Sequence, residues 1–168
     1  MGGRLWAPWR MEYIRTAPAE CGPGRRACLF CRLRRAQDDE ANLVLHRGAL
    51  GFVVMNRFPY NSGHLMVAPN RHVADLEKLT PKEGLELQRL VQRCLRALRL
   101  ELRPQGCNVG LNLGRVAGAG VVGHLHVHIV PRWLGDVNFM PVTAGTKVMS
   151  EHLLETYRRL GRRFRGPR

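Results

Sequence analysis

Three histidines stand at alternate positions in the segment His124-Leu125-His126-Val127-His128. Imidazole is the side chain best suited to act as base, nucleophile or metal ligand near neutral pH. In a strand, residues i, i+2 and i+4 share a face, so the three rings are expected on one side, with neighbours roughly 7 Å apart. Leu125, Val127 and Ile129 would then fill the other face and fit a core. Burying three imidazoles without partners is costly, so the spacing points to metal binding or to nucleophilic and acid-base catalysis. The plain alternative is the exposed polar face of an ordinary strand. The loop before the triplet adds a second signal. Gly118, Gly120 and Gly123 let backbone amides come close to a bound anion. A phosphate would then lie beside the imidazoles.

A second constellation is Cys28-Leu29-Phe30-Cys31. A C-x-x-C pair suits zinc or redox work, and zinc needs a second pair of ligands. The chain has five cysteines, at 21, 28, 31, 94 and 107. An odd count with no apolar signal core at Met1 to Trp6 argues against a disulfide framework. Cys94 reads as a small buried hydrophobe, and Cys107 as buried at the start of a strand. His46 and His152 read as surface residues.

The elements that must position these groups are legible in outline. Leu43 to Leu45, Gly51 to Met55 and His64 to Ala68 read as strands, separated by turns at Arg47-Gly48 and at Pro59 to Gly63. Thr80-Pro81-Lys82-Glu83 has the form of a capping box with proline in the first turn. Leu87, Leu90, Val91, Cys94, Leu95 and Leu98 follow at helical spacing, until Pro104-Gln105-Gly106 ends the helix. Asn108 to Leu113 and His124 to Val130 read as two further strands, with the glycine loop between them. Ser150 to Leu160 reads as a C-terminal helix capped by Ser150. The end of the arginine-rich tail, Arg158 to Arg168, is expected to be mobile. Strands, a helix, then strands predict an α+β fold in one structural domain. Within it, 1–42 would be an N-terminal arm carrying the C-x-x-C pair, 43–132 the core, and 133–168 a C-terminal extension.

The chain has 168 residues, which allows one domain with a sizeable core. It has no run of 18 apolar residues, so no membrane span is expected and the cytoplasm is the expected compartment. The formal net charge is +14, from 27 basic and 13 acidic residues. That suits a polyanionic partner. Yet only Lys78, Lys82 and Lys147 are lysines, an imbalance that genome base composition can also produce.

The segment His124 to Arg132 resembles the signature of the histidine triad family of nucleotide hydrolases and transferases. Asn56-Arg57-Phe58-Pro59 with Gly63-His64-Leu65-Met66-Val67-Ala68-Pro69 is similar to the nucleoside-binding hairpin of that family, and Asn108 to Asn112 with the glycine loop to its next segment. The arm Leu5 to Arg10 with Tyr13, and Trp133 to Phe139, resemble the diadenosine tetraphosphate phosphorylase-like branch.

The resemblance implies a five-stranded antiparallel sheet with two main helices, in homodimers with a continuous sheet. It implies double displacement: His126 attacks the α-phosphorus, and water or phosphate then takes the nucleotide. His124 completes the catalytic triad. His128 and the amides of Gly118, Ala119 and Gly120 would hold phosphate oxygens, Asn56 the ribose hydroxyls, and His64 and Asn112 would lie near the phosphates. Many members carry Gln, Ser or Thr four residues before the first triad histidine; here that position is Gly120. Some relatives bind structural zinc, and the matching ligands are Cys28, Cys31, His72 and His124.

The leading expectation is therefore an enzyme cleaving dinucleoside polyphosphates such as diadenosine tetraphosphate, or related nucleoside phosphates and phosphoramidates. Phosphorolysis and hydrolysis differ only in the second nucleophile. The alternatives are a zinc-containing nucleic-acid-binding module and a nucleotide sensor without turnover. The sequence has neither a recognition helix nor an aromatic stacking sheet, so nucleic acid is not the expected partner.

Overall fold

A computed structural model describes residues 28–136 and 152–165. Its sheet has five antiparallel strands: β1 (Val44–Arg47), β2 (Gly51–Met55), β3 (Leu65–Pro69), β4 (Gly106–Leu111) and β5 (Val127–Arg132), in the order β1-β2-β3-β5-β4. The helices are α1 (Leu29–Arg35), α2 (Pro81–Glu101) and α3 (Leu153–Phe164), with a 3-10 turn at Leu76–Lys78. The fold is α+β, as the sequence implies. The expected N-terminal arm falls mainly outside the described residues, as do Ser150 and the end of the Trp133 to Phe139 segment, from Val137 on.

The two faces of the sheet have different tasks. A side chain at Gly51 would meet Leu87 and Leu90, and one at Gly63 would meet Leu98, so this parity of β2 and β3 faces α2. Phe52 and Met66 have the other parity. Phe52 packs on Phe30 of α1, with ring centroids 6.3 Å apart, and Met66 pairs with His128. β2 and β3 are buried at every position because helices cover both faces.

α2 begins as its sequence predicts. Glu83 N–H donates to Thr80 Oγ1, and Thr80 N–H donates to Glu83 Oε2 at 2.9 Å, with Pro81 in the first turn. Arg71 adds two bonds to the same carboxylate and holds Glu83 down at about 2. Leu87, Leu90, Val91, Cys94, Ala97 and Leu98 are buried on the sheet.

Several expected boundaries move. α1 was not foreseen, because seven residues are too few to show a helical period. α3 ends at Phe164, not Leu160, and its cap is His152, whose ring accepts from Leu154 N–H. Four arginines read as tail therefore lie on this helix; Arg158 pairs with Glu40, and Arg163 with Glu101. Tyr157 of α3 donates to Val44 O at 2.9 Å and docks the helix on β1. His46 is half-buried against Arg93 and Phe164, not a plain surface residue. Cys107 is half-buried at the second position of β4, not fully buried.

Candidate active site and metal centre

β5 starts at Val127, so His124 and His126 precede the strand and only His128 lies on it. The expected single row of rings is therefore not formed. Leu125 N–H donates to Val73 O at 2.7 Å, which ties this stretch to the segment after β3 and turns the two leading histidines separately. His124 goes to the cysteines, while His126 and His128 stay together, with ring centroids 4.8 Å apart.

His124 Nε2 lies 2.9 Å from Pro69 O. A carbonyl only accepts, so Nε2 carries the proton, and in the neutral ring Nδ1 carries the lone pair. That lone pair faces Cys28 Sγ at 3.3 Å and Cys31 Sγ at 3.7 Å, while His72 Nδ1 is 3.4 Å from Cys31 Sγ. Tetrahedral zinc with ordinary Zn–S and Zn–N bonds puts S and N donors roughly 3.6 Å apart. The ligand atoms of Cys28, Cys31, His72 and His124 all lie within 4.8 Å of one another, so the four expected residues fit a metal ion. Burial pushes His124 down to about 4, which keeps the ring in the neutral form that a ligand needs. Burial also raises the Cys28 thiol, a shift that a bound cation would oppose.

His126 is buried, and its Nδ1 lies 2.8 Å from His124 O. By the same reasoning Nδ1 donates and Nε2 holds the lone pair. Burial lowers its pKa, which favours this neutral form. The other pair is fixed from the hairpin. Tyr60 N–H donates to His64 Nδ1 at 3.1 Å, and Asn56 Nδ2 lies 3.3 Å from the same atom. His64 Nε2 therefore donates to His128 Nδ1 at 2.9 Å, and the proton of neutral His128 sits on its Nε2. Phe58 N–H donates to Asn56 Oδ1 at 3.0 Å, which sets the direction of the Asn56 amide.

The structure thus brings together His64, His126 and His128, with Asn56 at the edge of the cluster. Asn112 reaches back to its own loop, with Nδ2 3.4 Å from Gly118 O. Gly118 takes φ +88°, Ala119 is buried and Gly120 is exposed. Two aromatic neighbours escaped the sequence reading. Tyr60 stacks on His64 with centroids 4.8 Å apart, and Phe30 lies 4.7 Å from His126 and 5.3 Å from His124. For Phe30 the signal lay inside the C-x-x-C pair; for Tyr60 it lay four residues before His64. The hairpin is also tied to the end of β5. Asn61 Nδ2 donates to Pro131 O and to Asp136, whose carboxylate also takes two bonds from Arg132.

The chain is similar to several known proteins. The HIT domain matches residues 38–133. An AP-4-A phosphorylase of Mycobacterium tuberculosis is 46% identical over 160 residues, 94% of this chain and 82% of that protein. An adenosine 5'-monophosphoramidase of Schizosaccharomyces pombe is 29% identical over 63% of this chain and 74% of its own length. A zinc-bound histidine triad family protein of Mycobacterium smegmatis superposes with a TM-score of 0.68 at 25% identity, over 84% of this chain and 95% of that one. The domain match and the long alignment together establish that the chain belongs to the HIT, or histidine triad, family.

Proposed function

We propose that the chain cleaves dinucleoside polyphosphates of the diadenosine tetraphosphate kind through a nucleotidyl group on His126, with inorganic phosphate as the acceptor. It is a HIT-family enzyme of the nucleotidyltransferase and nucleotide-hydrolase kind. The observation that carries the mechanism is the hydrogen-bond partners of the histidines, from which their proton positions follow. His126 turns a bare Nε2 away from the His124 carbonyl, and His128 carries its proton on Nε2.

In the first step the His126 Nε2 lone pair forms a bond to the α-phosphorus, and the bond from that phosphorus to the bridging oxygen breaks. ATP leaves with the electron pair. The ring gains positive charge while Nδ1–H stays on the His124 carbonyl, which stabilises that charge. His128 Nε2–H and the amides of Gly118, Ala119 and Gly120 meet the phosphate oxygens. In the second step a phosphate oxygen attacks the same phosphorus, the P–N bond breaks, and ADP leaves with His126 neutral again. Two easier displacements replace one difficult one. Asn56 retains one amide hydrogen and one Oδ1 lone pair for the ribose hydroxyls, counted against its two bonds in the hairpin.

A metal held by Cys28, Cys31, His72 and His124 would supply a structural cross-link. Two thiolates and two imidazoles suit zinc, with all four positions filled by protein.

The choice of phosphate rests on the similarity to the 46% identical AP-4-A phosphorylase. Hydrolysis is the second reading, favoured by the similarity to the monophosphoramidase. Product analysis with diadenosine tetraphosphate and labelled phosphate decides between them. Label in ADP with ATP as co-product is expected; AMP with ATP, unchanged by added phosphate, would establish a hydrolase.

A further inference from the structure

The metal ligands and the proposed nucleophile meet in one residue. The side chain of His124 faces Cys28 and Cys31, while its carbonyl accepts from His126 Nδ1 at 2.8 Å. A second link runs beside it. Phe30 lies between the two cysteines in sequence and is fully buried, with its ring 4.7 Å from His126 and 5.3 Å from His124. Phe30 also packs on Phe52 of the sheet, so it is a fixed wall and not a loose cover. The α1 helix that carries it spans only seven residues, too short to persist without outside support. Beside the Phe30 ring, its attachment to the catalytic segment runs through Cys28 and Cys31, the two sulfur donors of the metal set.

From this we infer that Phe30 and His124 are positioning residues for His126, and that metal ligation across Cys28, Cys31, His72 and His124 locks both against it. The lock acts on orientation. The His124 carbonyl selects the Nδ1–H tautomer of His126, and Phe30 sets the plane of the ring, so that Nε2 presents its lone pair to the phosphorus. His124 binds the ion through Nδ1, because Nε2 is committed to Pro69 O. The kinetic part of this inference rests on the proposed role of His126; the structural part does not.

The experiment compares zinc-loaded protein, protein stripped with a chelator, the stripped protein after zinc is restored, and zinc-loaded Phe30→Leu. Two readouts are taken: the tautomer of the His126 ring by nitrogen-15 NMR, and kcat and KM with diadenosine tetraphosphate. Loaded wild type is expected to show only the Nδ1–H tautomer at His126. Stripping is expected to mix the tautomers and lower kcat about 10- to 100-fold, the usual cost of losing support behind a site. KM should change less than about twofold, since uniform binding is untouched, and added zinc should restore both. Phe30→Leu should keep its metal and its KM yet lose about tenfold in kcat. An unchanged tautomer and kcat after stripping, or an unchanged kcat in Phe30→Leu, would overturn the inference. If the stripped protein unfolds, Phe30→Leu and a cadmium-113 form still decide: scalar coupling to His124 Nδ1 is expected, and coupling to Nε2 would refute it. Turnover surviving in His126→Asn would refute the nucleophile and leave the tautomer and cadmium readouts to judge the lock.

Discussion

Each histidine in the cluster has a neighbour that decides which nitrogen holds its proton. For His124 and His126 the neighbour is a backbone carbonyl, and for His64 it is the Tyr60 N–H. These are backbone groups, so their chemistry is independent of side-chain identity; only the fold puts them there. The His126→Asn variant removes the lone pair at Nε2 and keeps a donor near the His124 carbonyl. It should lose at least about 10³-fold in kcat, as removal of a nucleophile does. Nucleotide affinity, measured by equilibrium dialysis, should stay within a few-fold of wild type. A variant with near-native kcat would show that another group forms the bond. The cysteines divide by surroundings in the same way. Burial raises the Cys94 thiol far above its ordinary value, so it stays protonated on the apolar face of α2. Cys28 and Cys31 face two imidazoles.

At the scale of elements, the sequence was most legible where the period is long and the punctuation strong. The α2 helix follows from Thr80-Pro81-Lys82-Glu83 and the apolar spacing after it, and the sheet strands follow from runs bounded by glycine and proline. The family signature and the Cys28/Cys31 pair were legible from residue types at fixed spacing, whereas His72 and His124 as their candidate partners came only from the family resemblance. The strand boundary before His128 was not, because alternation of histidine with apolar residues fits either a strand or an irregular stretch tied to Val73. The α1 helix was hidden by its shortness. The lower end of α3 was hidden because arginines that read as a charged tail pack their helix through Tyr157, Leu160 and Phe164. The start of α2 gives a pH test. The Arg71 guanidinium and the Thr80 amide hold Glu83 at about 2, against 4.5 for the free group. A depressed folded pKa adds stability that is complete above about 4.5 and disappears as pH falls toward 2. The Glu83→Gln variant should therefore be about 1–2 kcal/mol less stable at pH 7, through weakened charge-assisted bonds and a weakened cap. In urea unfolding the gap should narrow as pH falls to 3 and below. An equal gap at pH 7 and pH 2.5 would mean that the ionised carboxylate is not what stabilises the cap.

For the molecule as a whole, the two edges of the sheet are treated differently. The β1 edge is guarded: Arg47 donates to the carbonyls of Leu33, Arg34 and Ala36, and Tyr157 takes the carbonyl of Val44. The β4 edge is largely exposed, with Val109 at 46%. An exposed strand edge invites pairing, and a homodimer with a continuous sheet across β4 is expected. Sedimentation should give twice the 19.0 kDa chain mass, and Val109→Lys should shift the population to monomer. A monomeric wild type at micromolar concentration would exclude that assembly. Metal analysis should find about one zinc per chain, held by four ligands, and none in Cys28→Ser/Cys31→Ser; retention in the double variant would place the ion elsewhere. No helix among the described residues is long and apolar enough to cross a membrane. The proposed mechanism turns on a single bond, between His126 Nε2 and a nucleotide phosphorus. The measurement that tests it most directly is acid-free quenching of the enzyme after incubation with diadenosine tetraphosphate in the absence of phosphate, followed by peptide mass mapping. An adenylyl group on His126 that disappears when phosphate is added is the expected result. Steady turnover with no adduct, or an adduct on another residue, would contradict it.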